Sequence, residues 1–98
     1  MGIEMQDVTD EIAAMLGIPQ GVFVINVQEG TAAQQAGIQH GDIIIKFDGQ
    51  RVSTRSELKQ LVGYYRAGET LKVTVKRFAD GRYEDVELEV TLGSQPQN

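Results

Sequence analysis

Few side chains in this 98-residue chain are suited to acid–base or nucleophilic chemistry. It has one histidine and three serines, so a hydrolytic triad would have to join His40 to Ser53 or Ser56. The acid member would be a carboxylate such as Asp42 or Asp48. His40 lies in a glycine-punctuated turn, and no G-x-S-x-G segment is present to expose a serine hydroxyl at a sharp turn. We therefore predict no catalytic residue and interpret His40 as a surface turn residue.

The composition excludes several other kinds of site. There are no cysteines, which removes disulfides, thiolate zinc sites and cysteine nucleophiles, and no glycine-rich phosphate loop is present. We expect neither a metal nor a cofactor. The net charge is -5, which argues against nucleic-acid binding because that needs a basic patch. The longest apolar run, residues 22–25, is far too short for a membrane span, and the opening residues lack the basic segment of a signal peptide. A binding module or a structural domain remains.

The first half of the chain indicates short helices alternating with apolar strands. Residues 9–16 have helical spacing, with Asp7 or Thr9 as the cap and Gly17 as the stop. Residues 22–27 form a continuous apolar strand that we expect to be covered on both faces. A capping pattern then predicts a small helix over residues 31–36.

A helix in the middle of the chain is also predicted from its capping residues. It follows a strand over residues 43–47 and a tight turn. Thr54 and Glu57 match a capping box that opens this helix, and Gly68 is the expected break after it. Its apolar stripe consists of Leu58, Leu61, Val62 and Tyr65.

The last part of the chain predicts a long β-hairpin with a defined register. If Asp80 and Gly81 are the central pair of the turn, apolar residues face apolar residues on one side of the hairpin. Lysines or threonine face acidic residues on the other side, and a one-residue slip would expose the whole apolar set. The acidic row of this face is better explained by cross-strand partners than by a cation site.

These elements predict one α+β domain over residues 1–92, with five to six short antiparallel strands and two to three helices. Residues 93–98 contain nothing apolar to bury, so we expect a disordered tail or linker.

Two stretches of the sequence together carry a family resemblance. The apolar strand at residues 21–27 is followed by a small-residue helix ending in A-G-I at residues 36–38, and then by G-D-I-I at residues 41–44. This order resembles the PDZ domains of bacteria, and D-G-Q-R-V at residues 48–52 continues it. The resemblance implies a PDZ-like, partly open antiparallel barrel or sandwich with the circularly permuted bacterial topology. The helical insert at residues 9–16 is similar to that of PDZ domains in HtrA (Deg-type) serine proteases.

The resemblance also implies a binding site for peptide C-termini. The main-chain N–H groups of Met1, Gly2 and Ile3 match the loop that binds the terminal carboxylate, where an anion needs several converging donors. The peptide would then pair as a strand along the following residues and lie in a groove against the capped helix. The expected pairing and groove residues are Glu4, Met5, Gln6, Asp7, Leu58, Leu61 and Val62.

The function implied by the resemblance is a non-catalytic peptide-binding module. It would recognise hydrophobic C-termini of unfolded or misfolded proteins and recruit substrate to, or regulate, a linked serine endopeptidase of the cell envelope or periplasm. The alternative is a structural or assembly PDZ domain of another envelope protein, such as a site-2 protease, a tail-specific protease or a secretion component. In either case we expect a soluble fragment without a membrane span.

Overall fold

The computed structural model describes residues 3–66 and 68–92. The predicted tail at 93–98 lies outside the described residues. The strands and helices follow one another in the order β1 (Ile3–Val8), α1 (Asp10–Leu16), β2 (Gly21–Val27), α2 (Ala32–Ala36), β3 (Ile43–Phe47), β4 (Gln50–Arg51), α3 (Arg55–Val62), β5 (Thr70–Ala79) and β6 (Arg82–Thr91).

The six strands form one antiparallel sheet in the order β1-β2-β3-β5-β6, with the short β4 paired to β3. Strands β1 and β6 are therefore at the two edges. The sheet is open and does not close into a barrel, which confirms the α+β class and the partly open architecture. Three helices accompany the sheet in the described part of the chain.

The β5–β6 hairpin has the predicted register. Its ten pairs run from Thr70 opposite Thr91 to Ala79 opposite Arg82. The turn residues Asp80 and Gly81 have φ angles of 54° and 83°, the left-handed pair that a two-residue turn with the correct twist requires. The side-chain alternation fixes this register, because a shift by one residue would move the apolar row into solvent.

The main core lies on one face of the sheet and is closed by α3. The fully buried Phe47, Ile44 and Val73 come from neighbouring strands, and Leu58 of α3 packs into the same cluster. The small helix α2 contributes the buried Ala33, whose size permits close packing. These contacts fix α3 relative to the sheet and hence to its first strand.

Helix α3 ends earlier than predicted. The expected break was Gly68, but the helix stops after Val62, and Gly63 is its C-cap. Glycine carries a large entropic cost in a helix, and the N–H groups of Tyr64 and Tyr65 bond to carbonyls three residues earlier, which tightens the chain into a turn. The result leaves Tyr64 exposed and Tyr65 packed edge-to-face on Phe47.

Strand β2 is covered on both faces only in its first half, contrary to the prediction. Residues Gly21 to Val24 are buried or half-buried, whereas Ile25 and Asn26 are exposed. The cause is a bulge, because Glu4 pairs with Asn26 while the next residue, Met5, pairs with Val24. Ile25 is the extra residue, without a partner in β1, and is 38% exposed.

Helix α1 forms as predicted, with Thr9 as its N-cap and Gly17 as its C-cap. None of its residues is buried, and its apolar end is open, since Met15 is 76% and Leu16 is 64% exposed. None of the helices in residues 3–66 and 68–92 is long and apolar enough to cross a membrane.

Candidate peptide-binding groove

Strand β1 has one hydrogen-bonding edge that no other described strand uses. It pairs with β2 through six residue pairs, from Ile3 opposite Val27 to Val8 opposite Gly21, and lies at the end of the sheet. Successive main-chain groups of a strand point to alternate edges, so donors and acceptors remain along the outer edge of β1. An extended segment of another chain could pair there as an added strand.

Helix α3 lies beside β1 and contacts it. The capping box fixes where the helix begins, since Thr54 Oγ1 accepts from the N–H of Glu57 at 3.2 Å. The Glu57 carboxylate accepts in return from the N–H of Thr54 at 3.3 Å and from that of Ser53 at 2.7 Å. We call the space between β1 and α3 the groove.

The predicted groove residues differ in their burial. On β1, Ile3 and Met5 are half-buried and pack against the core, while Glu4 and Gln6 are exposed, as strand alternation requires.

On α3, Leu58 is predicted to line the groove but is only 1% exposed and belongs to the core. Leu61 and Val62 are half-buried and contact the same core. The fold therefore brings the predicted apolar residues of both elements to one region.

The predicted carboxylate-binding loop is described only at its last residue. Met1 and Gly2 lie outside the described residues. Ile3, the third member, begins β1 opposite Val27.

Asp7 makes a contact that the sequence does not predict. Its Oδ1 accepts a hydrogen bond of 2.7 Å from the main-chain N–H of Arg55, the first residue of α3. Arg55 Nε lies 3.5 Å from the same oxygen. Nothing in the sequence links two positions 48 residues apart. Asp7 is also not the cap of α1, because Thr9 takes that position.

The groups considered for a triad are engaged in other contacts. His40 Nδ1 bonds to the carbonyl of Ile25 at the bulge, and its ring meets Phe23 edge-on at 6.2 Å between centroids. Asp48 accepts from the hydroxyl of Tyr65, and this hydrogen bond raises the pKa of Tyr65. Through its contacts with Ile25 and Phe23, His40 holds its turn against β2.

Asp42, the other candidate acid, forms a buried ion pair. Its two carboxylate oxygens accept from Arg77 Nε at 2.9 Å and Nη2 at 2.7 Å, and from the N–H of Gln39 at 2.9 Å. The bond to Asp42 raises the pKa of Arg77, against an opposing effect of burial. Arg77 Nη2 also donates to the carbonyl of Gly37. This network joins the α2–β3 connection to β5 and is structural.

A second concave surface on the sheet is polar and open to solvent. Its lining includes Lys46, Lys72, Glu87 and Glu89, so it carries both cations and anions. Within residues 3–66 and 68–92, no three or more histidine and carboxylate side chains are grouped closely enough to hold a metal ion. The groove, with its apolar lining and an unused strand edge, is the stronger candidate site.

Comparison with known proteins shows which sequences and folds this chain is similar to. The family model described as PDZ domain matches residues 1–91. A relative named probable periplasmic serine endoprotease DegP-like, from Marinomonas sp. (strain MWYL1), is 34% identical over all of this chain. The relative of the same name from Rhizobium meliloti (strain 1021) is 35% identical over 92% of the chain. The chain spans 20% and 18% of these two proteins, respectively.

Two solved structures share the fold. The HtrA-type protease AlgW with a decapeptide superposes with a TM-score of 0.79 and 28% identity, covering 99% of this chain and 29% of that one. The HtrA3 PDZ domain bound to a phage-derived ligand, FGRWV, superposes with a TM-score of 0.75 and 28% identity. That match covers 93% of this chain and 81% of the other.

Proposed function

This chain belongs to the PDZ domain family, and on that premise we propose that it binds the C-terminal segment of another polypeptide as a strand added antiparallel to β1. The observation that carries the proposal is the unused edge of β1 beside α3. Main-chain pairing along this edge does not depend on the ligand's sequence, so it accepts many partners and leaves selection to the side chains.

The ligand's terminal carboxylate would be held by the main-chain N–H groups of Met1, Gly2 and Ile3. Hydrogen bonds to a charged group contribute about 1.5–3 kcal/mol each before ordering costs are subtracted. Gly2 has no Cβ, so a carboxylate can approach the backbone closely there.

Selection of the last ligand residue would come from the apolar lining of the groove. Ile3 and Met5 on one wall and Leu61 and Val62 on the other are half-buried, which leaves part of each side chain available to a ligand. The flexible thioether of Met5 adapts to side chains of different shape. We infer a preference for a C-terminal Val, Leu, Ile or Phe. The ligand FGRWV of the HtrA3 PDZ domain ends in valine and is consistent with this preference.

We further infer that the chain is the peptide-recognition module of a periplasmic serine endoprotease of the HtrA or DegP type. The names of the relatives support this inference, as does the fact that the chain spans about a fifth of their length. In such a protein the groove would bind exposed C-termini of misfolded proteins, and this binding would either recruit them as substrates or regulate the protease. Sequencing the gene beyond this segment tests the assignment. We expect a G-N-S-G-G-type nucleophile motif, and a different type of neighbouring domain would contradict it.

Carboxylate capture is tested with two peptides of identical side chains. FGRWV with a free C-terminus and the same peptide with a C-terminal amide are titrated against the protein, with binding followed by calorimetry. We expect the free acid to bind at least tenfold more tightly, which corresponds to about 1.4 kcal/mol, the lower end for one charged hydrogen bond. FGRWD is the control for the apolar requirement and should bind weakly. Equal affinities of acid and amide would refute carboxylate capture.

A further inference from the structure

The two walls of the groove are joined by a specific hydrogen bond at one end. Ile3, Met5 and Asp7 alternate onto the half-buried face of β1. Asp7, the last of them, reaches α3, where its Oδ1 accepts from the N–H of Arg55 at 2.7 Å. We call this contact the Asp7–Arg55 bridge. The side chains of Asp7 and Arg55 are 36% and 54% exposed, so their ionic attraction, at 3.5 Å, is weak, and the bond to the main chain carries the contact.

The start of α3 explains why this bond defines a position. The first N–H groups of a helix have no partner within the helix. In α3 the N–H of Glu57 is satisfied by Thr54, which lies in the same segment. The N–H of Arg55 is satisfied by a side chain of β1 instead. A carboxylate is also favoured at a helix N-terminus by the helix dipole. Thr54 thus stabilises the helix, whereas Asp7 ties the helix to the opposite wall.

We propose that Asp7 is a positioning residue that holds α3 at the ligand-ready distance from β1 before the ligand arrives. The proposal rests on the peptide-binding function proposed above. A ligand's apparent dissociation constant equals the intrinsic constant divided by the fraction of protein in the competent state. Without the bridge, α3 is less restrained at its N-terminus, the competent fraction falls, and the affinity falls with it. Asp7 would act in this way without touching the ligand's terminal residue.

The test compares two substitutions that each remove one hydrogen bond from the start of α3. Asp7→Ala removes the bridge between the walls, while Thr54→Ala removes a bond within the helix and leaves the bridge in place. We expect Asp7→Ala to weaken FGRWV binding about tenfold, within the range usual for coupling between sites. Thr54→Ala should change it less than twofold although it destabilises the helix. Asp7→Asn keeps an oxygen acceptor and should restore affinity to within about threefold of the unsubstituted protein.

A second readout does not depend on the ligand. NMR spectra of the ligand-free variants report the surroundings of each main-chain amide. Asp7→Ala should shift the amides of both β1 and α3, whereas Thr54→Ala should shift those of α3 alone. Equal losses of affinity in the two variants, or shifts confined to Asp7 and its immediate neighbours, would overturn the positioning role. If the unsubstituted protein fails to bind FGRWV, the proposed function is refuted, and the ligand-free spectra still decide the role of Asp7.

Discussion

Breaking the buried ion pair between Asp42 and Arg77 should destabilise the fold strongly and unequally from its two sides. The Asp42 side chain is 2% exposed and accepts three described hydrogen bonds, two from Arg77 and one from the N–H of Gln39. The Arg77 side chain is 26% exposed and has a second acceptor in the carbonyl of Gly37. Asp42→Ala therefore leaves a partly exposed guanidinium that keeps one acceptor, whereas Arg77→Ala leaves a buried carboxylate.

Removal of one partner of a buried pair typically costs about 3–5 kcal/mol, because the other charge stays buried without compensation. For Asp42→Ala we expect about 2–3 kcal/mol, below that range, since Arg77 is partly solvated and keeps its bond to Gly37. For Arg77→Ala we expect about 3–4 kcal/mol, because the carboxylate of Asp42 keeps only the N–H of Gln39 among its described partners. The double substitution should cost less than the sum of the two.

Urea unfolding followed by circular dichroism measures these differences. Asp85→Ala is the matched control, since it breaks the ion pair between Asp85 and Lys76. The side chain of Asp85 is 59% exposed and that of Lys76 is 31% exposed. An exposed pair contributes at most about 1 kcal/mol. A loss of unfolding free energy below 1 kcal/mol for both Asp42→Ala and Arg77→Ala would refute the claim that this ion pair stabilises the fold. A greater loss for Asp42→Ala than for Arg77→Ala would refute the reasoning about which group is left uncompensated.

Three further sets of substitutions test other parts of the molecule. Leu58→Ala should lower the free energy of unfolding by about 2–4 kcal/mol because the side chain is fully buried, whereas Val62→Ala should cost about 1 kcal/mol and weaken FGRWV binding at least threefold. Urea unfolding and peptide titration separate the two effects, and an unchanged affinity for Val62→Ala would remove that residue from the groove. Gly21→Ala places a Cβ 2.6 Å from a main-chain oxygen of β3, so we expect a loss of at least about 2 kcal/mol in urea unfolding; a neutral result would contradict the close packing of β2 on β3. The hydrogen bond to Asp48 raises the pKa of Tyr65 above its usual 10, so its stabilisation is present below pH 10 and lost as the pH rises through the raised pKa. Melting temperatures should therefore fall more steeply above pH 10 for the unsubstituted protein than for Tyr65→Phe, and parallel curves would contradict this bond.

Local sequence patterns were sufficient to predict most of the fold. The hairpin register followed from Asp80 and Gly81 together with strict alternation, because both signals lie within about twenty neighbouring residues. The start of α3 followed from its capping box for the same reason. The end of α3 could not be predicted from local patterns, because either Gly63 or Gly68 could end the helix. The hydrogen bonds of the turn after Val62 place the end at Gly63.

The parts of the site that depend on distant residues could not be predicted. The predicted apolar residues of β1 and α3 lie in one region, but the burial of Leu58 in the core and the half-buried position of Val62 depend on how α3 is rotated against the sheet. The contact between Asp7 and Arg55 joins positions 48 residues apart and has no local signature. The same is true of the bulge at Ile25, which arises only when β1 and β2 pair.

Amide protection along β1 tests the central claim most directly. Hydrogen exchange of the main-chain amides is measured by NMR with and without a saturating concentration of FGRWV. If a ligand pairs with the outer edge of β1, alternate amides between Ile3 and Val8 should exchange at least tenfold more slowly in the complex, with smaller changes at α3. Protection located instead on the outer face of β5 and β6, with β1 unchanged, would contradict strand addition at this edge.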